Sequence, residues 1–327
     1  MHRTLLDILC CPECAGELAL RDARESGDRV ESGTLECASC RRSYEIRGFV
    51  PRFVPPDNYA ANFGFQWNRF GRTQLDSHSG VPISRDRLLL SMGVAPEELR
   101  GKLVLDVGCG SGRFAEAALG TGARVVALDY SSAVDACQAN LGSNAAIDVV
   151  QGDVYKLPFR PGTFDHVYCL GVLQHTPDVK ASFMALTRQV RAGGRLTVDV
   201  YAKLALNVLW PKYWLHWLTR RIPPRRLFSI VERAVPWLLP ISDAVARVPV
   251  VGKKLRYAVP VMNHRPNYPQ LSDRQLREWA VLDTFDMFGP TYDQPQSVAT
   301  IESWFREAGM RDVEVFRHGA VIGRGVR

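Results

Sequence analysis

Cys11-Pro-Glu-Cys14 and Cys37-Ala-Ser-Cys40 are two C-x-x-C pairs with 22 residues between them. A C-x-x-C turn sets two thiolates on one side of a tight loop. A second such turn on a facing hairpin completes a tetrahedral four-cysteine set, the usual donor set of structural zinc. Cys10 is an alternative to Cys11 as the ligand, although the order Cys-Pro-x-Cys favours Cys11. The rival reading is a buried or redox-active group of thiols. Alternating residues at 33–36 and 43–46 predict strands flanking the second pair. A unit of this size has a small core, so metal binding is expected to supply most of its folding free energy. Cys109, Cys137 and Cys169 fall in apolar segments and read as small core residues.

A second group of residues begins at Leu103-Val-Leu-Asp106-Val-Gly108-Cys-Gly110-Ser-Gly112, which reads as a strand, a glycine-rich turn and a helix start. Glycines here allow a tight turn and let the main chain approach a ligand with no Cβ between them. Asp129 ends the next apolar run, 17 residues past Gly112. A carboxylate there can accept both hydroxyls of an adenosine ribose, in charge-assisted bonds of about 1.5–3 kcal/mol each. NAD and S-adenosylmethionine share that ribose, so Asp129 does not separate them. Asp106, two residues before Gly108, suits a ligand with a cationic aminoacyl head. Asp153, after the third strand, is placed to accept an adenine amino group.

The elements that position these residues follow from the hydrophobic pattern. Strands are expected at 103–107, 124–128, 147–150, 164–170 and 195–201, separated by helices at 114–119, 133–140 and 179–190. A helix around 85–92 precedes them. A helix at 297–308 and strands at 313–316 and 320–323 follow. Such alternation implies an α/β fold, a mostly parallel sheet with helices on both faces.

Taken together, residues 101–201 resemble the methyltransferase domain of class I S-adenosylmethionine enzymes, particularly those similar to the ubiquinone and menaquinone biosynthesis group. The resemblance rests on the glycine loop, Asp129, Gly152-Asp153-Val154, the Leu-Pro-Phe and Phe164-Asp165 signature, and Arg191-Ala-Gly-Gly-Arg-Leu before the fifth strand. The N-terminal segment resembles the zinc ribbon of the small activator subunit of tRNA methyltransferases, through Leu6-Asp-Ile-Leu-Cys-Cys-Pro-x-Cys, Tyr44-x-Ile46, Gly48 and Pro51. These resemblances imply a Rossmann-like sheet, S-adenosylmethionine as cofactor and a structural Zn2+. They place Asp106, Gly108 and Gly110 at the methionine part, with Gly112 in the same loop. Asp129 is placed at the ribose, Tyr130 beside the adenine, Asp153 and Val154 at the adenine, and Leu170 at the methyl-donor end. Tyr130 and Leu170 can equally be core residues. Gln66 and Trp67 form a lid over the cofactor in such enzymes, or Trp67 is core packing. His175, in Gln-His-Thr-Pro after the fourth strand, is a candidate general base beside the methyl group, with structural packing as the rival role. Methyl transfer is a displacement from an activated sulfonium, so positioning alone can supply most of the rate.

Charge adds a further signal. The net charge is +7, and residues 203–265 alone carry twelve Lys or Arg against two acids, Glu232 and Asp243. That segment holds Trp210, Trp214, Trp217 and Trp237, with Arg220, Arg221, Arg225 and Arg226 around a Pro-Pro break. Three partners fit it: the body of the protein itself, an anionic membrane surface with a lipid-like acceptor, or single-stranded RNA. Downstream, 284–296 resembles a family segment that closes over the substrate, with Asp283, Asp286 and Tyr292 as polar candidates.

Composition excludes other classes. With 46% hydrophobic and 23% charged residues the chain is an ordinary globular protein. No apolar run reaches the ~18–20 residues of a membrane span, and no signal peptide is visible, so a cytoplasmic protein, peripheral at a membrane, is expected. The expected organisation is a zinc ribbon (1–56), lid or linker helices (57–100), a methyltransferase domain (101–202 and 297–327) and a basic, Trp-rich cap (203–296). The expected activity is methylation of a small or lipid-like metabolite. The rival is rRNA or tRNA methylation. Against it, the basic and acidic residues of the ribbon nearly balance, and no Asn-Pro-Pro-Tyr-type loop follows the fourth strand. A third reading, a non-catalytic scaffold docking a partner through the ribbon, sits poorly with an intact glycine loop.

Overall fold

The structure, a computed structural model, describes residues 1–55, 58–203, 211–219 and 221–327; Trp210 and Arg220 lie outside the described residues. Its strands are β1 (Leu18–Ser26), β2 (Arg29–Cys37), β3 (Ser43–Arg47), β4 (Val50–Arg52), β5 (Leu103–Val107), β6 (Arg124–Asp129), β7 (Ile147–Gln151), β8 (Phe164–Leu170), β9 (Val190–Val200), β10 (Arg311–His318) and β11 (Ala320–Val326). The helices are α1 (Ala61–Arg69), α2 (Asp76–Ser79), α3 (Ile83–Met92), α4 (Arg113–Leu119), α5 (Ala133–Leu141), α6 (Val179–Thr187), α7 (Pro211–Thr219), α8 (Pro224–Ala246), α9 (Gly252–Leu255), α10 (Asp273–Phe288) and α11 (Val298–Glu307).

All eleven strands form one sheet, ordered β1-β2-β3-β4-β7-β6-β5-β8-β9-β11-β10. The central five, β7-β6-β5-β8-β9, are parallel and read as near-continuous Val, Leu and Ile runs because helices cover both faces. After β7 the chain crosses to the other side of β5 to form β8. Ligands of such sheets bind at the carboxyl ends beside this reversal, where Gly108 and Gly171 follow β5 and β8. β9 starts at Val190, five residues earlier than the sequence pattern predicts, and α6 stops at Thr187. The reason is pairing: Val190 is in register with Phe164, and an irregularity absorbs Gly193-Gly194 before pairing resumes at Arg195. Ser297 caps α11 by accepting from the Thr300 N–H at 3.1 Å.

The cysteine-bearing unit does not have a core of its own. β4 pairs in parallel with β7 at Arg52 and Gln151, so its meander extends the large sheet. Met1, Leu5, Leu9, Val30, Leu35, Ile46 and Phe53 belong to one buried cluster with Leu105, Val126, Leu128 and Val150. Main-chain bonds from Cys10 N to Pro158 O (2.9 Å) and from Arg160 N to Ile8 O (2.8 Å) add a second seam. Metal is therefore expected to steady a unit already packed against the sheet.

The basic segment forms a cap with a separate core, where Leu227, Phe228, Val231 and Val235 of α8 meet Ala280, Val281, Phe285 and Phe288 of α10. Its indoles do not all pack inward. Trp214, Trp217 and Trp237 are 63%, 52% and 78% exposed, a departure from a cap that buries its Trp face. Among the described residues no helix is long and apolar enough to cross a membrane.

Candidate active site and cysteine cluster

The Sγ atoms of Cys11, Cys14, Cys37 and Cys40 all lie within 4.8 Å of one another. Cys11 and Cys40 are 3.6 Å apart, and Cys14 and Cys37 3.4 Å. A tetrahedron with Zn–S bonds of about 2.3 Å has sulfur–sulfur edges of roughly 3.8 Å, so four soft donors are gathered at nearly the right spacing. Cys11, not Cys10, belongs to the cluster.

The second site is a cleft of about 1190 Å³ at the carboxyl ends of the parallel strands, large enough for a nucleoside-sized cofactor together with an acceptor. Its floor is the glycine loop. Gly108 and Gly110 have φ of +81° and +54°, a region that side chains rarely adopt. A Cβ on Gly108 would strike Val172 at 2.3 Å, and one on Gly110 would press on the Trp67 ring at 3.1 Å. Helix α1 thus closes over the loop through Trp67, while Gln66 beside it is buried.

Asp129 ends β6 with its carboxylate in the cleft wall. Its Oδ2 accepts from Gly110 N at 2.9 Å, and its Oδ1 accepts from Ser131 N (2.8 Å) and Ser131 Oγ (2.7 Å). These bonds fix the carboxylate against the glycine loop, while burial pushes its pKa up. Asp106 lies deeper, at 1% exposure. Among the described residues its Oδ2 has no hydrogen-bond partner. Burial raises the Asp106 carboxyl to about 8; the nearby Tyr168 hydroxyl opposes the shift and the charge of Asp129 adds to it. Such an acid is costly unless a positive group arrives nearby.

Of the other candidates, Tyr130, Val154, Leu170 and His175 line the cleft. Gly112 does not: it packs under α5, where a Cβ would meet Leu141 at 2.6 Å. Asp153 stands behind the wall, its Oδ1 accepting from Tyr155 N at 2.9 Å. Asp283 and Asp286 reach the cleft, whereas Tyr292 contributes its carbonyl. That carbonyl lies 2.9 Å from His175 Nδ1. A carbonyl can only accept, so Nδ1 carries the proton and Nε2 of the neutral ring keeps a lone pair. Among the described residues Nε2 has no partner. Phe63 and Tyr201 hold the ring at centroid distances of 5.2 and 5.4 Å.

The acceptor side of the cleft holds residues that sequence reasoning missed. Trp279 stacks on Tyr268 (5.4 Å, interplanar 4°) and on His264 (5.3 Å, 30°), and those two rings also meet at 6.1 Å, so the three form one cluster. His264 Nε2 lies 2.7 Å from Asp283 Oδ2, and Tyr201 donates to Asp286 at 3.2 Å. Asp199 and Tyr201 could have been found from their place at and just past the end of β9. His264, Tyr268 and Trp279 carry no spacing that marks them.

Comparison with known proteins locates the same two units. A family model described as a methyltransferase domain matches residues 105–198, and one described as Trm112p-like protein matches residues 2–48. A ubiquinone biosynthesis O-methyltransferase of Thiobacillus denitrificans is 40% identical over 129 residues, covering 38% of this chain and 55% of that protein. A demethylmenaquinone methyltransferase of Thermobifida fusca is 34% identical over 43% of this chain and 64% of its own length. A ubiquinone biosynthesis O-methyltransferase of Xanthomonas oryzae is 30% identical over 56% of this chain and 77% of its own. The chain thus spans between half and two thirds of the first two relatives. Among solved structures, a Haloferax volcanii complex of the Trm112 methyltransferase activator with a methyltransferase is similar at 16% identity and a TM-score of 0.45, covering 81% of this chain and 96% of that one.

Proposed function

Because the chain belongs to the class I S-adenosylmethionine-dependent methyltransferases, we propose that it transfers a methyl group from S-adenosylmethionine to a hydroxyl of an aromatic, quinone-like acceptor. The observation that carries this reading is the pairing of two buried acids at the glycine loop: Asp129, clasped to Gly110 N, and Asp106, whose Oδ2 has no hydrogen-bond partner among the described residues and suits a cationic aminoacyl head. On this reading Gly108 and Gly110 give the methionine part its backbone contacts, and Asp106 lends it negative charge from below. Asp129 accepts the ribose hydroxyls, Tyr130 and Val154 flank the adenine with Asp153 behind them, and Leu170 borders the methyl group. The Gly112 turn starts α4. Bound there, S-adenosylmethionine supplies a methyl group on a sulfonium. The four cysteines hold a structural zinc.

His175 Nε2 takes the proton of the acceptor hydroxyl as the new oxygen–carbon bond forms and the sulfur–methyl bond breaks. Nδ1–H, donating to the Tyr292 carbonyl, keeps the ring in the tautomer this requires. The O-methyltransferases among the relatives support oxygen as the acceptor atom, and the ring stack of Tyr268, Trp279 and His264 supports a planar one.

A lipid-like acceptor would arrive from a membrane, and the cap suits that role. Outward from α8 point Arg225, Arg226, Ile230 and Arg233, with Trp237 and Ile241 exposed beyond them. Trp217 of α7 sits beneath the Arg221 guanidinium at 4.6 Å, and Val250 is fully exposed. Apolar and basic groups along the exposed face of α8 match an anionic bilayer.

The test is methyl transfer from labelled S-adenosylmethionine to a short-chain catechol or quinol presented in anionic vesicles. His175→Asn should lower kcat at least tenfold with little change in KM. Labelling only of rRNA or tRNA in the same assay would replace this reading with the nucleic-acid one.

A further inference from the structure

Arg113 opens α4 immediately after Gly112 and lines the cleft. Its Nε donates to Ser84 Oγ at 3.2 Å and its Nη1 to Gln74 Oε1, both neutral acceptors. Gln74 cannot turn its amide around, because its Nε2 donates to Asp283 Oδ1 at 3.1 Å. Among the described residues Arg113 has no ion pair with a carboxylate.

Arg87 of α3 stands beside it in the same cleft. The two guanidinium carbons flank one phenyl ring, that of Phe114, at 5.3 Å (Arg87) and 4.6 Å (Arg113) from its centroid. Arg87 has its own counter-ion: its Nη2 is 2.6 Å from Asp199 Oδ2, and Asp199 is 1% exposed. Arg87 is thus paired with a buried carboxylate, whereas the acids whose charge reaches Arg113, Asp283 and Asp76, make no ion pair with it among the described residues. Burial first, then the like charge of Arg87, push Arg113 down to about 10, against the opposing pull of Asp283, Tyr268 and Asp76. An unpaired cation in such a place is costly until an anion completes it, and a guanidinium fork matches a carboxylate edge to edge.

We propose that Arg113, with Arg87 beside it, is a carboxylate-binding subsite of the cleft. This rests on reading the cleft as a methyl-transfer site, where two ligands bring such a group: the methionine tail of the donor, and an aromatic acceptor that carries an acid.

Two probe pairs, titrated into the zinc-loaded full chain, separate these sources. The first is S-adenosylmethionine against its decarboxylated propylamine analogue. The second is 3,4-dihydroxybenzoate against catechol, each with saturating S-adenosylhomocysteine. The carboxylate-bearing member of one pair should bind at least tenfold more tightly, and which pair it is identifies the source. That ratio should fall toward one in Arg113→Gln and be largely kept in Arg113→Lys. Ratios within twofold for both pairs in the wild-type protein overturn the subsite, with no variant needed. Failure of S-adenosylmethionine to bind the wild-type protein at all overturns instead the methyl-transfer reading on which the subsite rests.

Discussion

Arg52, the last residue of β4, donates from Nη1 to Gln151 Oε1 at 2.9 Å across the seam between the cysteine-bearing unit and the large sheet. Gln151 is buried and passes the contact on, its Nε2 donating to the Tyr130 carbonyl at 3.2 Å. The backbone repeats the tie, since Phe53 N donates to Gln151 O at 2.8 Å. Two side chains therefore connect the ribbon to the residue that follows Asp129. Stripping the metal with a chelator should weaken S-adenosylhomocysteine binding and lower the melting temperature of the whole chain, because the two units share a core. Arg52→Ala, with zinc still bound, should weaken the same ligand roughly fivefold, about 1 kcal/mol, the net scale of one ordinary hydrogen bond. Calorimetry that finds affinity indifferent to both changes would separate ribbon from site.

Asp106 gives the site a pH dependence. Its carboxyl titrates near 8 in the folded protein, above its ordinary value of 3.8. The folded state thus holds a proton that the unfolded chain releases, and this group's contribution to stability is fully present below about pH 4 and is lost as pH rises toward about 8. A cationic ligand head favours the ionised form. Affinity for S-adenosylhomocysteine should therefore rise between pH 6 and 8 by more than affinity for 5′-methylthioadenosine, which lacks the ammonium group. Asp106→Asn should remove the difference. Parallel pH profiles for the two ligands in the wild-type protein would contradict this role.

Much of this was legible in the sequence because it is local. Strand, glycine turn and helix at 103–119 lie within one short stretch, and the acid at 129 closes the next strand. The four thiols are likewise two local turns. What was not legible depends on distant pairing. Gln74 meets Asp283 across 209 residues, and Trp279 stacks with His264 and Tyr268 from a different element. No periodicity marks such partners. The ribbon's attachment escaped for a similar reason: β4 is three residues long, and its Val-Pro-Arg does not announce a neighbour 99 residues away. Val190, read as a helix end, became a strand because Phe164 was there to pair with it.

The cap should bind anionic vesicles. Trp237 is 78% exposed on the outer side of α8, and Arg225, Arg226 and Arg233 lie along the same helix. Each arginine near such a surface contributes about 1 kcal/mol, and salt screens it. Sedimentation should show binding that falls with ionic strength, falls again in Trp237→Ser, and is absent with neutral lipid. Indifference to vesicles of either kind would leave the cap facing water and a soluble acceptor.

The central claim is that the glycine loop and Asp129 hold S-adenosylmethionine, and calorimetric titration of the zinc-loaded full chain tests it most directly. One molecule should bind per chain, and Asp129→Ala should weaken it ten- to a hundredfold, about 1.5–3 kcal/mol. Part of that loss reflects the bonds to Gly110 and Ser131 that the carboxylate also makes. NAD should give no heat. Tight binding of NAD, or S-adenosylmethionine affinity unchanged by Asp129→Ala, would contradict the account.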